Sequence, residues 1–268
     1  MFTPILVTFS LFFTVVFNTP IPKSIESGVD YEWLGGGFEG DMIFHDGFDP
    51  TIESTSRGVA IWGPRRWSKN TVPYDLSLII NAGHRKIIED AMATLTRITS
   101  SPVTGKACIT FRPKLPNERN ILKVNYGTGC SATVGFSYAP NEMSLAYPGC
   151  FHSGIIQHEL MHVIGQYRTE SFYHEQSRPD RDLYVDVKLA NVEKGHEHNF
   201  NKYRWGNMVL NQNTTYDYES IMHYGANYFS SNGQPTMTPK QPGARIGQRD
   251  RLSAIDIAEI RSFYSCSD

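Results

Sequence analysis

The chain has 268 residues, 40% of them hydrophobic and 12% aromatic, which is enough apolar material for a buried core and excludes general disorder. A formal net charge of -2 leaves no basic excess for nucleic acid, and no internal stretch approaches the roughly 20 apolar residues of a membrane span. With 22 Gly and 15 Pro, the chain reads as one large, loop-rich globular unit with a small appendage.

Met1 to Asn18 are almost wholly apolar and uncharged, and Thr19-Pro20-Ile21-Pro22 stops any helix there. This predicts a cleaved secretory signal over 1–19, and hence a secreted, extracellular protein. Residues 20–57 lack cysteine and are rich in Gly, Asp and Glu, so they read as an extended segment without a fold of its own. They end in Ser54-Thr55-Ser56-Arg57, a suitable site for a trypsin-like cut.

From residue 58 the composition is globular. Thr71 to Leu78 reads as a strand. Ile87, Ile88, Ala91, Met92, Leu95 and Ile98 recur at helical spacing, with Ile79 and Ile80 at the entrance. Short strand-like runs follow at Ile109 to Arg112, Ile121 to Asn125, Ala132 to Phe136 and Met143 to Ala146. A second helix is expected from Phe151 to Ile164, with Gly165 as a left-handed stop. A third follows a Ser253 cap and turns Ile257, Ile260, Phe263 and Tyr264 inward. This order predicts an α+β domain.

The four cysteines, Cys108, Cys130, Cys150 and Cys266, predict two disulfides in an oxidising compartment, with three connectivities open. Asn213-Thr214-Thr215 is a glycosylation sequon.

The chemistry is concentrated in His158-Glu159-Leu160-Met161-His162. Residues four apart share a helix face, so both imidazoles can hold one metal ion, and Glu159 lies within reach of a metal-bound water. His196-Glu197-His198 does not repeat this, because the i, i+2 spacing turns the two rings to different faces. His45, His84, His152 and His223 also lack ligand-like spacing.

Downstream stand His174 and Ser220-Ile221-Met222-His223-Tyr224. With them the sequence resembles the astacin family of zinc metalloproteases, in the metzincin group. The resemblance is carried by HELMHVIG at 158–165, FYHEQSRPDRD at 172–182, SIMHYG at 220–225 and IGQRDRLSAIDI at 246–257. It implies a two-lobed metzincin-like peptidase domain over 58–268, with a twisted, mostly antiparallel N-terminal sheet, an active-site helix and an irregular C-terminal lobe.

The resemblance also implies roles. His158, His162 and His174 would ligate one zinc, and Glu159 would be the general base. Met222 would form the apolar floor of the Met-turn, and Tyr224 would move from the metal to the oxyanion. Three neutral imidazoles would leave zinc an open position for a water acidified to a pKa of about 7. The disulfides would be Cys108–Cys266 and Cys130–Cys150. Substrates would be proteins or peptides, lying extended against an edge strand near Met143 to Ala146, with Arg249 favouring an acidic side chain just after the scissile bond. The enzyme would be made as a zymogen. Asp41 of Phe38-Glu39-Gly40-Asp41 would occupy the zinc within a propeptide of 20–57. An activating trypsin-like protease would cut after Arg57, freeing the Gly58 amine to reach Glu175.

One feature departs from the family pattern. The third histidine there follows the glycine by three residues, whereas here six more, Gln166 to Ser171, intervene before Phe172-Tyr173-His174. Closing the longer loop costs only about 1 kcal/mol against zinc-site folding energies roughly ten times larger, so His174 remains the expected third ligand. The alternative is a secreted, catalytically impaired binding protein whose zinc site the insertion has spoiled.

Overall fold

Asn81 starts the first long helix, α1 (Ala82–Thr99), by accepting the Gly83 and His84 amides with its side chain. The apolar stripe Ile88, Ala91, Met92 and Leu95 is buried along one face. At its entrance Ile79 is fully buried while Ile80 is 82% exposed, so only one of that pair belongs to the core. The structure, a computed structural model, describes residues 30–44, 66–138, 140–165, 174–203 and 214–268. The expected signal, the Arg57–Gly58 cut, the 166–171 insertion and the Asn213 sequon lie outside those residues.

The strands are β1 (Met42–Ile43), β2 (Thr71–Asp75), β3 (Thr110–Pro113), β4 (Leu122–Tyr126), β5 (Ser131–Thr133) and β6 (Asn141–Leu145). They form one sheet in the order β1-β5-β6-β4-β2-β3. The expectation of a mostly antiparallel sheet is corrected here: β1–β5, β2–β3, β2–β4 and β4–β6 are parallel, and β5–β6 is antiparallel. The cause lies in the connections. Helix α1 carries the chain back between β2 and β3, as a parallel crossover requires. The chain then reverses at both ends of β5, so β6 returns in the direction of β4 and inserts beside it. Met143 to Ala146 is therefore interior, and β5 lies on the outer side, covered by β1.

Helix α2 (Ser153–Ile164) lies between this sheet and the rest of the chain, with ten of its twelve residues buried. It is anchored at its far end by Trp67 Nε1 donating to the Val163 carbonyl and by the Tyr264 hydroxyl donating to Ile164. Gly154 is obligatory in the first turn, because a Cβ there would stand 1.6 Å from the Arg249 carbonyl. Gly165 ends the helix as expected but not in the left-handed region. Its φ of -63° and ψ of -177° are extended, and its N–H bonds to Met161 and His162 close the last turn.

The C-terminal lobe holds the pair β7 (Val185–Val187) and β8 (Met237–Pro239), several short 3-10 turns, and α3 (Ala254–Phe263). Ser253 and Asp256 form a reciprocal capping box on α3. Its Ile260, Phe263 and Tyr264 join the main core, with Ile257 packed against it, and a second apolar cluster centres on Tyr216, Tyr224, Phe229 and Met237. Cys108–Cys266 and Cys130–Cys150 are bonded, in the pairing the family resemblance implied.

Candidate active site

Helix α2 brings His158 and His162 to one face, and His174 stands beside them. The three ring centroids lie 4.9, 5.2 and 5.4 Å apart, and all three residues are buried. The six added residues therefore leave His174 beside the other two.

Each ring has one nitrogen committed or turned away and Nε2 facing inward. His158 Nδ1 donates to the Ile221 carbonyl at 2.8 Å, which fixes the tautomer and leaves Nε2 with its lone pair. His174 Nδ1 meets Glu39 Oε2 at 2.9 Å. The three Nε2 atoms converge on the Asp41 carboxylate at 3.1, 3.3 and 3.4 Å. Asp41 Oδ1 and the Nε2 atoms of His162 and His174 are buried without a hydrogen-bond partner among the described residues.

Lone pairs facing a carboxylate at these distances repel unless a cation lies between them. Zinc–nitrogen and zinc–oxygen bonds of about 2.0–2.1 Å in a tetrahedron place neighbouring donors roughly 3.3 Å apart, which matches the observed spacing. The four residues form the ligand-competent group Asp41, His158, His162 and His174. The donor set fits zinc.

Glu159 lies alongside, fully buried, with neither carboxylate oxygen hydrogen-bonded among the described residues. Burial, then the nearby Asp41 and Glu32 carboxylates, push its pKa well above the usual range. The Tyr224 ring sits 4.6 Å from His174, and its hydroxyl donates to the Glu39 carbonyl at 2.6 Å. Met222 is buried in the main core directly after Ile221. His223 is structural. Its Nδ1 donates to the Tyr224 carbonyl and its Nε2 accepts from Tyr216, and burial lowers its pKa to about 3.

Residues 30–44 fill the cleft above these groups. The Tyr31 carbonyl accepts the Cys130 amide, the Asp41 carbonyl accepts Ala132, and β1 runs beside β5. Gly40, at φ +99°, makes the bend that aims Asp41 inward. Three contacts of this segment escaped the sequence reading. Glu39 bonds both His174 and Ser177, although its motif was noted for Asp41 alone. Glu32 accepts Arg249 Nε and Nη2, each at 2.7 Å, and the Tyr228 hydroxyl at 2.6 Å. Trp33 packs edge-on against Phe229, 5.2 Å between centroids. Glu32 and Trp33 sit in a Gly- and acid-rich run with no local pattern, so nothing short of the fold could single them out.

The Astacin peptidase-family profile matches residues 62–265. The chain belongs to the astacin family. Among this astacin's relatives, Protein SpAN of Strongylocentrotus purpuratus is 37% identical over 268 residues, covering 94% of this chain and 40% of that protein. Zinc metalloproteinase nas-4 of Caenorhabditis elegans is 38% identical over 204 residues, 75% of this chain and 60% of that protein. High choriolytic enzyme 1, a hatching enzyme zinc-protease from Oryzias latipes, superposes with a TM-score of 0.64 at 37% identity, covering 75% of this chain and 94% of that one. That match bears out the metzincin-like fold. This astacin spans about 40% of the length of the two sea-urchin proteins it matches. No helix among the described residues is long and apolar enough to cross a membrane.

Proposed function

We propose that the chain is a secreted zinc endopeptidase, held latent by its own residues 30–44 and acting on proteins or peptides. One observation carries the reading: three histidine Nε2 atoms lie 3.1–3.4 Å from the Asp41 carboxylate, all four ligand atoms within 4.8 Å of one another, with Glu159 beside them. His158, His162 and His174 would hold one zinc, and Asp41 would take the position that water needs. When bound, zinc would polarise the peptide carbonyl and acidify a water.

The protein's own groups do the rest. Removing residues 30–44 takes Asp41 and Glu32 away from Glu159 and opens its carboxylate to the attacking water, for which it would be the base. It then accepts a proton from the attacking water and passes it to the leaving amine. The Tyr224 hydroxyl, released from the Glu39 carbonyl, is free to donate to the developing oxyanion. The outer edge of β5, which pairs with β1 in the latent chain, is where an extended substrate would add as a strand. Arg249, now held by Glu32, would take an acidic substrate side chain after the scissile bond.

Activation by a trypsin-like cut after Arg57 has a receptor waiting. Glu175 is buried and accepts from Arg178 Nη1 and the Asp217 amide, within a group that also includes Glu259 and Asp217. Burial raises the pKa of all three carboxyls. An ammonium at Gly58 would add a second positive charge, beside Arg178, to these three carboxyls. Glycosylation at Asn213 completes the reading of a secreted zymogen.

The deciding experiment measures zinc content and peptide cleavage after a trypsin-like cut, with Glu159→Ala as the blank, for the full chain and for one lacking residues 166–171. One zinc and Glu159-dependent cleavage by the full chain is the expected result. Cleavage by the shortened chain alone, or zinc without hydrolysis, overturns the reading and makes this chain a binding protein.

A further inference from the structure

The segment 30–44 places a side chain in a second hollow on the wall that holds Arg249. Trp33 lies edge-on to Phe229 and to His196, with centroids 5.2 and 6.1 Å away. His196 itself stacks on Phe229 at 5.1 Å with 20° between the planes, and Phe200 closes the hollow behind at 6.2 Å from Phe229. The hollow thus holds an aromatic guest in edge-to-face contact with two rings that stack on each other.

Phe229 is held there under strain. Its φ of +55° is left-handed, a region that bulky side chains avoid, and its carbonyl accepts the Glu193 amide. Tyr228, the preceding residue, hydrogen-bonds Glu32 and lies under Arg249. Successive residues of one turn therefore face two different guests, a carboxylate and an aromatic ring. His196, set aside in the sequence for its i, i+2 spacing from His198, is the exposed lip of the second hollow: its side chain is 37% accessible even with Trp33 in place.

We propose that the His196–Phe229 hollow is a substrate subsite for an aromatic side chain, next to the acid-selecting Arg249 and filled by Trp33 in the latent chain. This rests on the reading of residues 30–44 as a removable segment in the cleft. Peptides that carry an aromatic residue near an acidic one are then the preferred substrates, and His196 is the residue that sets the aromatic preference. Phe229 also packs on Tyr224, so its removal would disturb the catalytic wall; His196 has no such role and is the residue to change.

Two measurements test it. The cut, active chain is given a peptide library, and His196→Ala is compared with the parent. The expected result is enrichment of aromatic side chains at one position beside the acidic one, reduced roughly ten-fold in His196→Ala with the acidic preference unchanged. A flat aromatic profile, or one that His196→Ala leaves intact, overturns the proposal.

The second needs no catalysis. A synthetic peptide of residues 30–44 and its Trp33→Ala form are titrated onto the cut Glu159→Ala chain, with and without His196→Ala. Trp33→Ala should weaken binding about ten-fold on the parent surface and little on the His196→Ala surface. Equal loss on both surfaces overturns the subsite. Absence of any cleavage together with the coupled binding loss would sink the protease reading alone.

Discussion

Replacing Glu32 by Ala is the sharpest test of how the cleft is closed. Glu32 is 3% exposed and bonds Arg249 through both oxygens; beyond it Arg249 donates to the His223 and Gln248 carbonyls and the Tyr228 hydroxyl, and the Asp30 carboxylate also acts on it. Removing one partner of a buried pair costs about 3–5 kcal/mol, because the remaining charge stays buried and unpaired. The linkage argument gives a similar size. Burial would raise the Glu32 carboxyl, but Arg249 outweighs it and holds the pKa at about 2, against 4.5 when free. That depression corresponds to about 3 kcal/mol favouring the docked segment. A depressed carboxylate contributes above its free pKa, so the contribution is complete above pH 4.5 and is lost as pH falls toward 2.

Glu32→Ala should therefore raise the undocked population roughly a hundred- to several-thousand-fold at neutral pH. The assay is hydrogen exchange at the Cys130 and Ala132 amides, which donate to Tyr31 and Asp41 and lose protection when the segment lifts. Adding Arg249→Met should restore part of the protection, since no guanidinium is then left unpaired. Unchanged exchange at both amides in Glu32→Ala would refute the reasoning.

Further outcomes follow from other parts of the molecule. Glu159→Gln should lower kcat by roughly 10²–10⁴ with zinc retained, checked by single-turnover peptide hydrolysis and metal analysis; a fall in zinc content of the same size would move the defect to folding. Burial raises the Glu259 carboxyl from 4.5 to about 7, so the folded chain holds a proton that the unfolded chain releases, and stability falls as pH rises through that window. In the uncut chain Glu259→Gln should stabilise by about 1–3 kcal/mol at pH 8 and by almost nothing at pH 4.5, read from urea midpoints. The Cys108–Cys266 bridge spans 158 positions, and replacing both cysteines by Ala should cost about 5 kcal/mol by chain entropy; a urea midpoint shift under a fifth of that would contradict the estimate.

Much of the site was legible because its signals are local. His158 and His162 share a helix face by spacing alone, Ser253 marks a helix start, and the apolar repeat of α1 is a property of its own eighteen residues. Motif resemblance added His174, Tyr224 and Asp41, whose convergence no spacing rule could supply across 117 positions between Asp41 and His158. Strand direction was not legible. The runs at Ala132 and Met143 look alike as sequence, and whether one lies at the edge or inside depends on where the chain reverses around them. Nor was the pairing of Glu32 with Arg249, 217 positions apart, because an isolated acidic residue carries no record of its partner. The sequence by itself determined the helices, the Ser253 cap and the shared face of His158 and His162, since these depend on residues within a turn or two. Only the tertiary structure decided which segment fills the cleft and which side chains it meets there, because those contacts are made by burial and charge between residues that the chain keeps far apart.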